Sequence, residues 1–168
     1  MDRFVGMDQV VRIEERNENM QASPARAPWE DKFTTPTWGV LREAFAKPVV
    51  PVLEHVRERL SALPGVRETL GWHGIPWRWS LRYGVEGDGI AMAFLVPNPA
   101  KPLLAVPMTL TQIDRLPQRR LPRHIRDAIL HAVEIDGVRW PAWEITSKTQ
   151  ADEVMALVTL RVPALAGA

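Results

Sequence analysis

Apolar and polar residues alternate along residues 77–83, and this is the clearest strand pattern in the chain. Three aromatic residues and one leucine fall on one side, and polar residues fall on the other. The apolar side is Trp77, Trp79, Leu81 and Tyr83, and the polar side is Arg78, Ser80 and Arg82. Such alternation is typical of a half-buried β-strand. The glycines of residues 86–89 then supply a turn, and strands follow at 90–96 and 103–108. The pattern therefore predicts a three-strand antiparallel meander.

Helical periods flank this meander. Apolar residues recur every three or four positions at 38–45, 52–63, 123–135 and 150–161. Thr35, Thr109 or Thr111, and Thr149 are the expected N-caps, because a side-chain oxygen there can accept from a free backbone N–H. Residues 66–70 resemble a short helical turn, and 138–145 a fourth strand. Pro141 would put this strand at an edge or in a bulge, because proline cannot donate to a ladder.

The order of these elements is α-β-β-β-α-β-α. Strands grouped together and flanked by helices favour the α+β class. We therefore predict one domain over residues 29–168, with a mainly antiparallel four-strand sheet and helices on one face. Residues 1–28 lack a strong period and enough apolar residues to fold alone, so we predict a mobile tail there.

Composition narrows the functional classes. The chain has 168 residues, a formal net charge of +1 and no cysteine, so disulfides and thiol catalysis are excluded. Residues 1–16 contain acidic residues where a signal peptide needs an apolar run, and no stretch approaches the length of a membrane span. We expect a soluble cytoplasmic protein that has no cofactor and no contact with a membrane.

Aromatic residues cluster around the entry to the meander, in a chain that holds seven tryptophans. Large rings at strand spacing are most simply explained as core, because their burial stabilises a small domain. The less simple alternative is that they wall a pocket for a flat or apolar ligand. The candidate ligand-binding residues are Trp72, His73, Trp77, Trp79 and Tyr83.

Arginine is concentrated between residues 115 and 126, where five arginines occur with no acidic residue among them. Such a cluster attracts anions, including nucleic acid, although a solvated helix edge explains it as well. Arginines on the open face of residues 77–83 could extend the same surface, with tryptophans as stacking platforms. The candidate anion-binding residues are Arg78, Arg82, Arg119, Arg120, Arg123 and Arg126.

A metal site is the third possibility. In a helix over 123–135, His124, Asp127, His131 and Glu134 would share one face. Histidine and carboxylate are ligands for Zn²⁺ or Fe²⁺, but the two histidines would be roughly 10 Å apart along the axis. His131 with Glu134 is the remaining ligand pair, and a solvated helix face is the simpler explanation.

Catalytic motifs are not recognisable. Ser61, Ser80 and Ser147 lack the strand–turn–helix context of an activated serine, and the glycines of residues 84–89 precede a strand rather than a helix. A non-enzymatic protein is therefore the expectation. If the chain were an enzyme, the residues to suspect would be His73, Tyr83 and Glu144.

The element order resembles that of the YdhG-like superfamily of small bacterial domains, whose fold is similar to frataxin. The matching pieces are residues 71–76 (GWHGIP), the meander of 77–108 and the ending GVRWPAWEITSKTQADEVMALV, within residues 50–162. Most members have no assigned activity, and one branch is described as an iron chaperone. An iron chaperone of this type would carry an acidic helical ridge. The helix at 52–63 departs from it, with Arg57 and Arg59 beside Glu54 and Glu58.

These observations rank three functions. The leading hypothesis is a binding or interaction protein that uses a tryptophan-lined cleft or an exposed sheet face, with a small molecule or another protein as partner. Anion or nucleic-acid binding through the arginines is the alternative, and frataxin-like metal handling is the third.

Overall fold

The strands of the chain form two antiparallel sheets, in a computed structural model that describes residues 26–161. The strands are β1 (Val66–Trp72), β2 (Trp79–Val85), β3 (Ala93–Val96), β4 (Leu103–Ala105), β5 (Met108–Thr109), β6 (Glu134–Ile135), β7 (Val138–Arg139) and β8 (Ala142–Glu144). The helices are α1 (Trp38–Glu43), α2 (Val50–Ser61), α3 (Leu110–Asp114), α4 (Arg123–His131) and α5 (Lys148–Arg161), with a 3₁₀ turn at Gln118–Arg120. The predicted α+β class with an antiparallel sheet is confirmed.

The larger sheet has the order β1-β2-β3-β4-β8, and the smaller has the order β5-β7-β6. A row of apolar residues crosses the larger sheet in direct register: Leu70 opposite Leu81, Leu81 opposite Leu95, Leu95 opposite Leu104, and Leu104 opposite Trp143. Residues opposite one another point to the same face, so this row defines one apolar face.

The helices cover that face. Buried residues of α2, including Leu53 and Val56, form one cluster with Leu81 and Leu95 of the row, and α4 and α5 contribute to the same cluster. Helices α2 and α5 also contact each other directly. None of the helices in the described part of the chain is long and apolar enough to cross a membrane.

Strand β1 was not predicted, and the sheet has five strands instead of four. Residues 66–70, expected as a helical turn, extend into a strand whose seven residues all pair with β2. With apolar residues only at Val66 and Leu70, the segment fits either period. Pairing decides it, because Gly65 turns the chain at φ 72° and the next residues meet an unpaired edge of β2.

The predicted helix over 123–135 is too long, because α4 ends at His131. Asp136 and Gly137, with φ of 51° and 76°, form the turn of the hairpin between β6 and β7. Two consecutive residues of positive φ are typical of the tight hairpin turn that an Asp-Gly pair favours. The Asp-Gly pair is visible in the sequence, but the prediction placed Val133 and Ile135 in the preceding helix.

Proline also divides two predicted strands. The strand expected at 103–108 separates into β4 and β5 around Pro107, and the one at 138–145 separates into β7 and β8 around Pro141. Each proline lacks the N–H that a continuous ladder needs. Strand β8 pairs with β4 alone in its sheet, so its expected edge position is confirmed. The strand expected at 90–96 begins at Ala93.

Helix caps lie close to the predicted positions. Thr109, one of the two residues expected to cap α3, accepts a hydrogen bond from the backbone N–H of Gln112 in a reciprocal capping box. The cap of α1 is Thr37 instead of Thr35. Ser147 instead of Thr149 accepts from the backbone N–H of Gln150 at the start of α5. Of the predicted tail at 1–28, only residues 26–28 lie within the described part of the chain.

One polar network joins α2 to the sheet. The hydroxyl of Tyr83 donates to Glu68 Oε2 at 2.6 Å, and Arg57 donates to both oxygens of Glu68 at 2.6 and 3.1 Å. Burial alone would raise the pKa of Glu68. The hydrogen bonds from Arg57 and Tyr83 outweigh burial and hold the pKa of Glu68 below its ordinary value of 4.5.

The network predicts a pH-dependent stability. Because the pKa of Glu68 is lower in the folded chain, its stabilisation is present above pH 4.5 and is lost as the pH falls through the folded pKa. Tyr83→Phe keeps the ring and removes one bond to a charged acceptor, so we expect a loss of about 1–3 kcal/mol near pH 7 by urea unfolding. Glu68→Gln should reduce the acid dependence below about pH 5. An unchanged acid dependence in Glu68→Gln would contradict this assignment.

A candidate aromatic binding site on the second face of the sheet

The face of the larger sheet opposite the helices, called here the second face, carries its own row of side chains. Arg82, Phe94, Ala105 and Ala142 lie opposite one another in turn across β2, β3, β4 and β8. No helix contributes to the buried cluster formed there by Ala91, Phe94 and Ala105; within the described residues, Trp77, Trp140 and Ala142 pack on it.

The loop between β1 and β2 brings Trp77 to this face. The N–H of Arg78 donates to the carbonyl of Gly74 at 2.6 Å, and the N–H of His73 donates to the carbonyl of Arg78 at 2.8 Å. Arg78 has φ 46°, which non-glycine residues rarely adopt. This left-handed residue interrupts the alternation, so Trp77 packs on Phe94 with ring centroids 5.0 Å apart. The prediction that Trp77 shares a face with Trp79 is therefore wrong.

The hairpin of β6 and β7 brings Trp140 to the same place. Its backbone N–H donates to the carbonyl of Val133 at 3.0 Å, which extends the hairpin by one pair beyond the strands. The Trp140 ring then lies 5.5 Å from Trp77 in an edge-to-face arrangement and 6.1 Å from Phe94. Edge-to-face contact is a favoured geometry for aromatic pairs, so these rings support one another.

These elements enclose a cavity of about 450 Å³, called here the aromatic pocket. It is lined by His73, Pro76, Trp77, Phe94, Val133, Ile135 and Trp140. Val133 and Ile135 form an apolar rim, with exposed fractions of 65% and 56%. A concave, mainly aromatic cavity of this size is typical of small-molecule sites.

Two polar atoms of the pocket residues have no hydrogen-bond partner in the described part of the chain. They are Nε2 of His73 and Nε1 of Trp140, and both are shielded from solvent. A buried polar atom without a partner costs about 1–3 kcal/mol. Two residues that line the pocket therefore each carry a ring nitrogen that makes no hydrogen bond.

The environment of His73 favours its neutral form. Burial lowers the pKa of His73 below its ordinary value of 6.5, and the positive charge of Arg82 lowers it further. The ring packs edge-to-face on Phe94 at 5.0 Å. At neutral pH the pocket is therefore lined by uncharged side chains only.

The structure divides the five residues expected to bind a ligand. His73 and Trp77 line the aromatic pocket. Trp79 and Tyr83 are buried on the helix side, where Trp79 donates to the carbonyl of Asp31 at 2.7 Å. Trp72 packs against Trp79 and lines a different cavity of about 520 Å³, together with Arg26, Glu30, Lys32, Phe33, Ile75 and Arg78.

Five further residues line the pocket and were not predicted to do so: Pro76, Phe94, Val133, Ile135 and Trp140. Val133 and Ile135 were assigned to a helix, which would have directed them elsewhere. Recognising Asp136-Gly137 as a hairpin turn would have placed Val133 and Trp140 opposite one another.

The expected arginine surface separates into different environments. Arg78 pairs with Glu30 and stacks over Trp29 at 4.8 Å. The Arg82 guanidinium lies over Gly84, where an added Cβ would be 2.8 Å from Nη1. The remaining arginines are exposed.

Within the exposed group, Arg119 and Arg120 occupy the 3₁₀ turn and Arg126 lies on α4. Arg123 pairs with Asp127 at 3.4 Å. Arg115, Arg119, Arg120 and Arg126 have no carboxylate partner among residues 26–161.

The four residues of the metal hypothesis do not share one helical face, because Glu134 lies in β6 and not on α4. Glu134 pairs with Arg139 at 3.2 Å, and His131 Nδ1 lies 2.8 Å from the carbonyl of Asp127. His124 pairs with Glu153 at 3.0 Å. Among the described residues, no group of three or more histidines and carboxylates is arranged to hold a metal ion.

The residues suspected of catalysis do not converge. His73 lies on the second face, the Tyr83 hydroxyl is bonded to Glu68 on the helix side, and Glu144 lies near Lys101 at 3.9 Å on the edge strand. Burial raises the pKa of the Tyr83 hydroxyl, which favours its role as a donor to Glu68.

No protein-family model matches the chain, and no curated protein matches it significantly.

The protonation of His73 gives a direct test of the pocket environment. We expect its ring protons to titrate below pH 6.5 in an NMR titration, with His73→Gln identifying the signal. Because the folded pKa is lowered, the contribution of His73 to stability is present above pH 6.5 and is lost as the pH falls through the folded pKa. His73→Gln should therefore lose less stability than the wild type on acidification. Titration of His73 above 6.5 would show that the ring is not desolvated in this pocket.

Proposed function

We propose that this protein binds a small, flat, mainly apolar molecule in the aromatic pocket. The observation that carries the proposal is the pocket itself. Trp77, Phe94 and Trp140 surround a cavity of about 450 Å³ whose rim of Val133 and Ile135 is exposed and apolar. Exposed apolar groups around a concavity are characteristic of binding sites.

The walls favour aromatic ligands. Tryptophan and phenylalanine rings offer faces and edges of opposite electrostatic sign, which an aromatic ligand can match by stacking or edge contact. Burial of a two-ring ligand supplies the main driving force. Fragments of about ten non-hydrogen atoms should bind with Kd on the order of 0.1–1 mM, and a larger natural ligand more tightly.

A matched pair of exposed isoleucines tests the proposal. Ile135 lines the aromatic pocket with an exposed fraction of 56%, whereas Ile75 does not line it and is 79% exposed. We expect Ile135→Glu to weaken naphthalene binding about tenfold or more, because a charge at the rim must be desolvated by the ligand. Ile75→Glu should leave the affinity within about twofold. The affinities are measured by NMR titration.

Equal weakening in both variants, or none in either, would contradict the assignment of binding to this pocket. Because both side chains are mainly exposed, neither substitution should prevent folding, and one-dimensional NMR spectra check this directly.

A second candidate function is anion or nucleic-acid binding. It is supported by Arg115, Arg119, Arg120 and Arg126, which are exposed and have no carboxylate partner among residues 26–161. Phosphate groups could neutralise these charges with release of counterions, which makes affinity depend strongly on salt.

The salt dependence separates the two candidates. If the arginines bind single-stranded RNA, log K should fall linearly with log salt, and Arg119→Ala with Arg120→Ala should reduce the slope by about 1.4. The control is Arg42→Ala with Arg67→Ala, whose guanidinium groups pair with Glu54 and Glu86. RNA affinity that does not change with salt, or an equal effect of the control, would exclude the arginine surface.

Membership of the YdhG-like superfamily, a frataxin-like metal function and a cytoplasmic location stay predictions. Glu54 of α2 pairs with Arg42 and Arg57, and Arg57 also pairs with Glu68 of β1, so basic groups neutralise these two carboxylates. Carboxylates paired with arginines are not free to bind a metal ion, so this pairing favours ligand binding over metal handling.

A further inference from the structure

The ligand can be specified further from Nε1 of Trp140, and this step rests on the proposed function. An indole N–H is a donor only, so its partner must be an acceptor. In the described part of the chain, Trp140 Nε1 makes no hydrogen bond, although solvent does not reach it. Buried donors are nearly always paired in folded proteins, so an unpaired one calls for an explanation.

The Trp140 ring borders an open cavity. It lines the aromatic pocket and is only partly buried, in contrast to Trp143, whose ring is packed into the main core. Since solvent cannot touch Nε1 in the present arrangement, a ligand atom can reach it only after the indole ring turns into the adjacent cavity. The edge contact of Trp140 with Trp77 at 5.5 Å opposes this turn weakly, because such pairs contribute about 0.5–1.5 kcal/mol beyond burial.

We propose that the ligand is an uncharged, planar heteroaromatic molecule with a hydrogen-bond acceptor, and that the Trp140 ring turns on binding to donate its N–H to that acceptor. The acceptor is a ring nitrogen or an exocyclic carbonyl oxygen. Binding thereby satisfies a donor that is unpaired without ligand, so the acceptor contributes affinity in addition to the burial of the ring.

The side chains that line the pocket also indicate the charge of the ligand. The pocket is lined by apolar and aromatic side chains and by His73, which is neutral at neutral pH. Within the described residues, no lysine, arginine or carboxylate lines it. A charged ligand would lose hydration while no side chain that lines the pocket offers it a counter-charge, which is unfavourable.

Three probes of similar shape separate these claims: naphthalene, quinoline with a ring nitrogen as acceptor, and 2-naphthoate with a charge. Each is titrated by NMR at about pH 7.5, where quinoline is neutral, against the wild type, Trp140→Phe and Trp143→Phe. Trp143→Phe is the matched control, because Nε1 of Trp143 is also buried and unpaired but its ring does not line the pocket.

We expect Trp140→Phe to weaken quinoline at least about fivefold more than it weakens naphthalene, because both probes lose the same part of the pocket wall and only quinoline also loses a hydrogen bond. Trp143→Phe should change both affinities by less than twofold. In the wild type, 2-naphthoate should bind at least about tenfold more weakly than naphthalene. The indole proton of Trp140 should also shift downfield with quinoline and not with naphthalene, a readout that needs no variant.

The outcomes distinguish the inference from the proposed function. If naphthalene and quinoline bind in the pocket but Trp140→Phe affects them equally, the acceptor role is overturned and the binding function stands. If 2-naphthoate binds as tightly as naphthalene, the restriction to uncharged ligands is overturned. If no probe binds up to its solubility limit, the proposed function fails and this inference fails with it.

Discussion

The left-handed backbone at Arg78 determines which face of the sheet the neighbouring aromatic rings occupy. With φ at 46°, it separates Trp77 from Trp79, so that one ring enters the core region and the other covers the opposite face. An uninterrupted strand would have placed both tryptophans on one side. The ion pair of Arg78 with Glu30 and its position over the Trp29 ring help to hold this conformation. The aromatic pocket depends on it.

The two faces of the sheet are stabilised by different means. The helix side is closed by a continuous apolar row and by the bonds of Glu68 to Arg57 and Tyr83. The second face has no helix over its buried cluster in the described part of the chain, and rings from a loop and a hairpin cover it. A rigid scaffold with a site formed by connecting segments is a common arrangement in binding proteins.

Much of the fold followed from periodicity, and the failures have physical causes. The strand signal at 79–83 and the apolar stripe of α2 were reliable because each repeats over several residues. Strand β1 was missed because its stability comes from pairing with β2, which a local pattern does not contain. Five of the seven pocket residues were missed, and two of them for a related reason: Trp140 and Val133 meet only through the Asp136-Gly137 turn. His73 and Trp77 were identified because polar and aromatic residues stand together at the entry to the meander.

The most direct test of binding in the aromatic pocket follows all seven tryptophan indole N–H signals by NMR while quinoline is added. The rings lie in different environments, so each signal reports on one region of the protein. We expect the signals of Trp77 and Trp140 to move with one common saturation curve while those of Trp29, Trp38 and Trp143 stay fixed. Movement of Trp29 and Trp38 without Trp140 would contradict the assignment of the second face as the binding site.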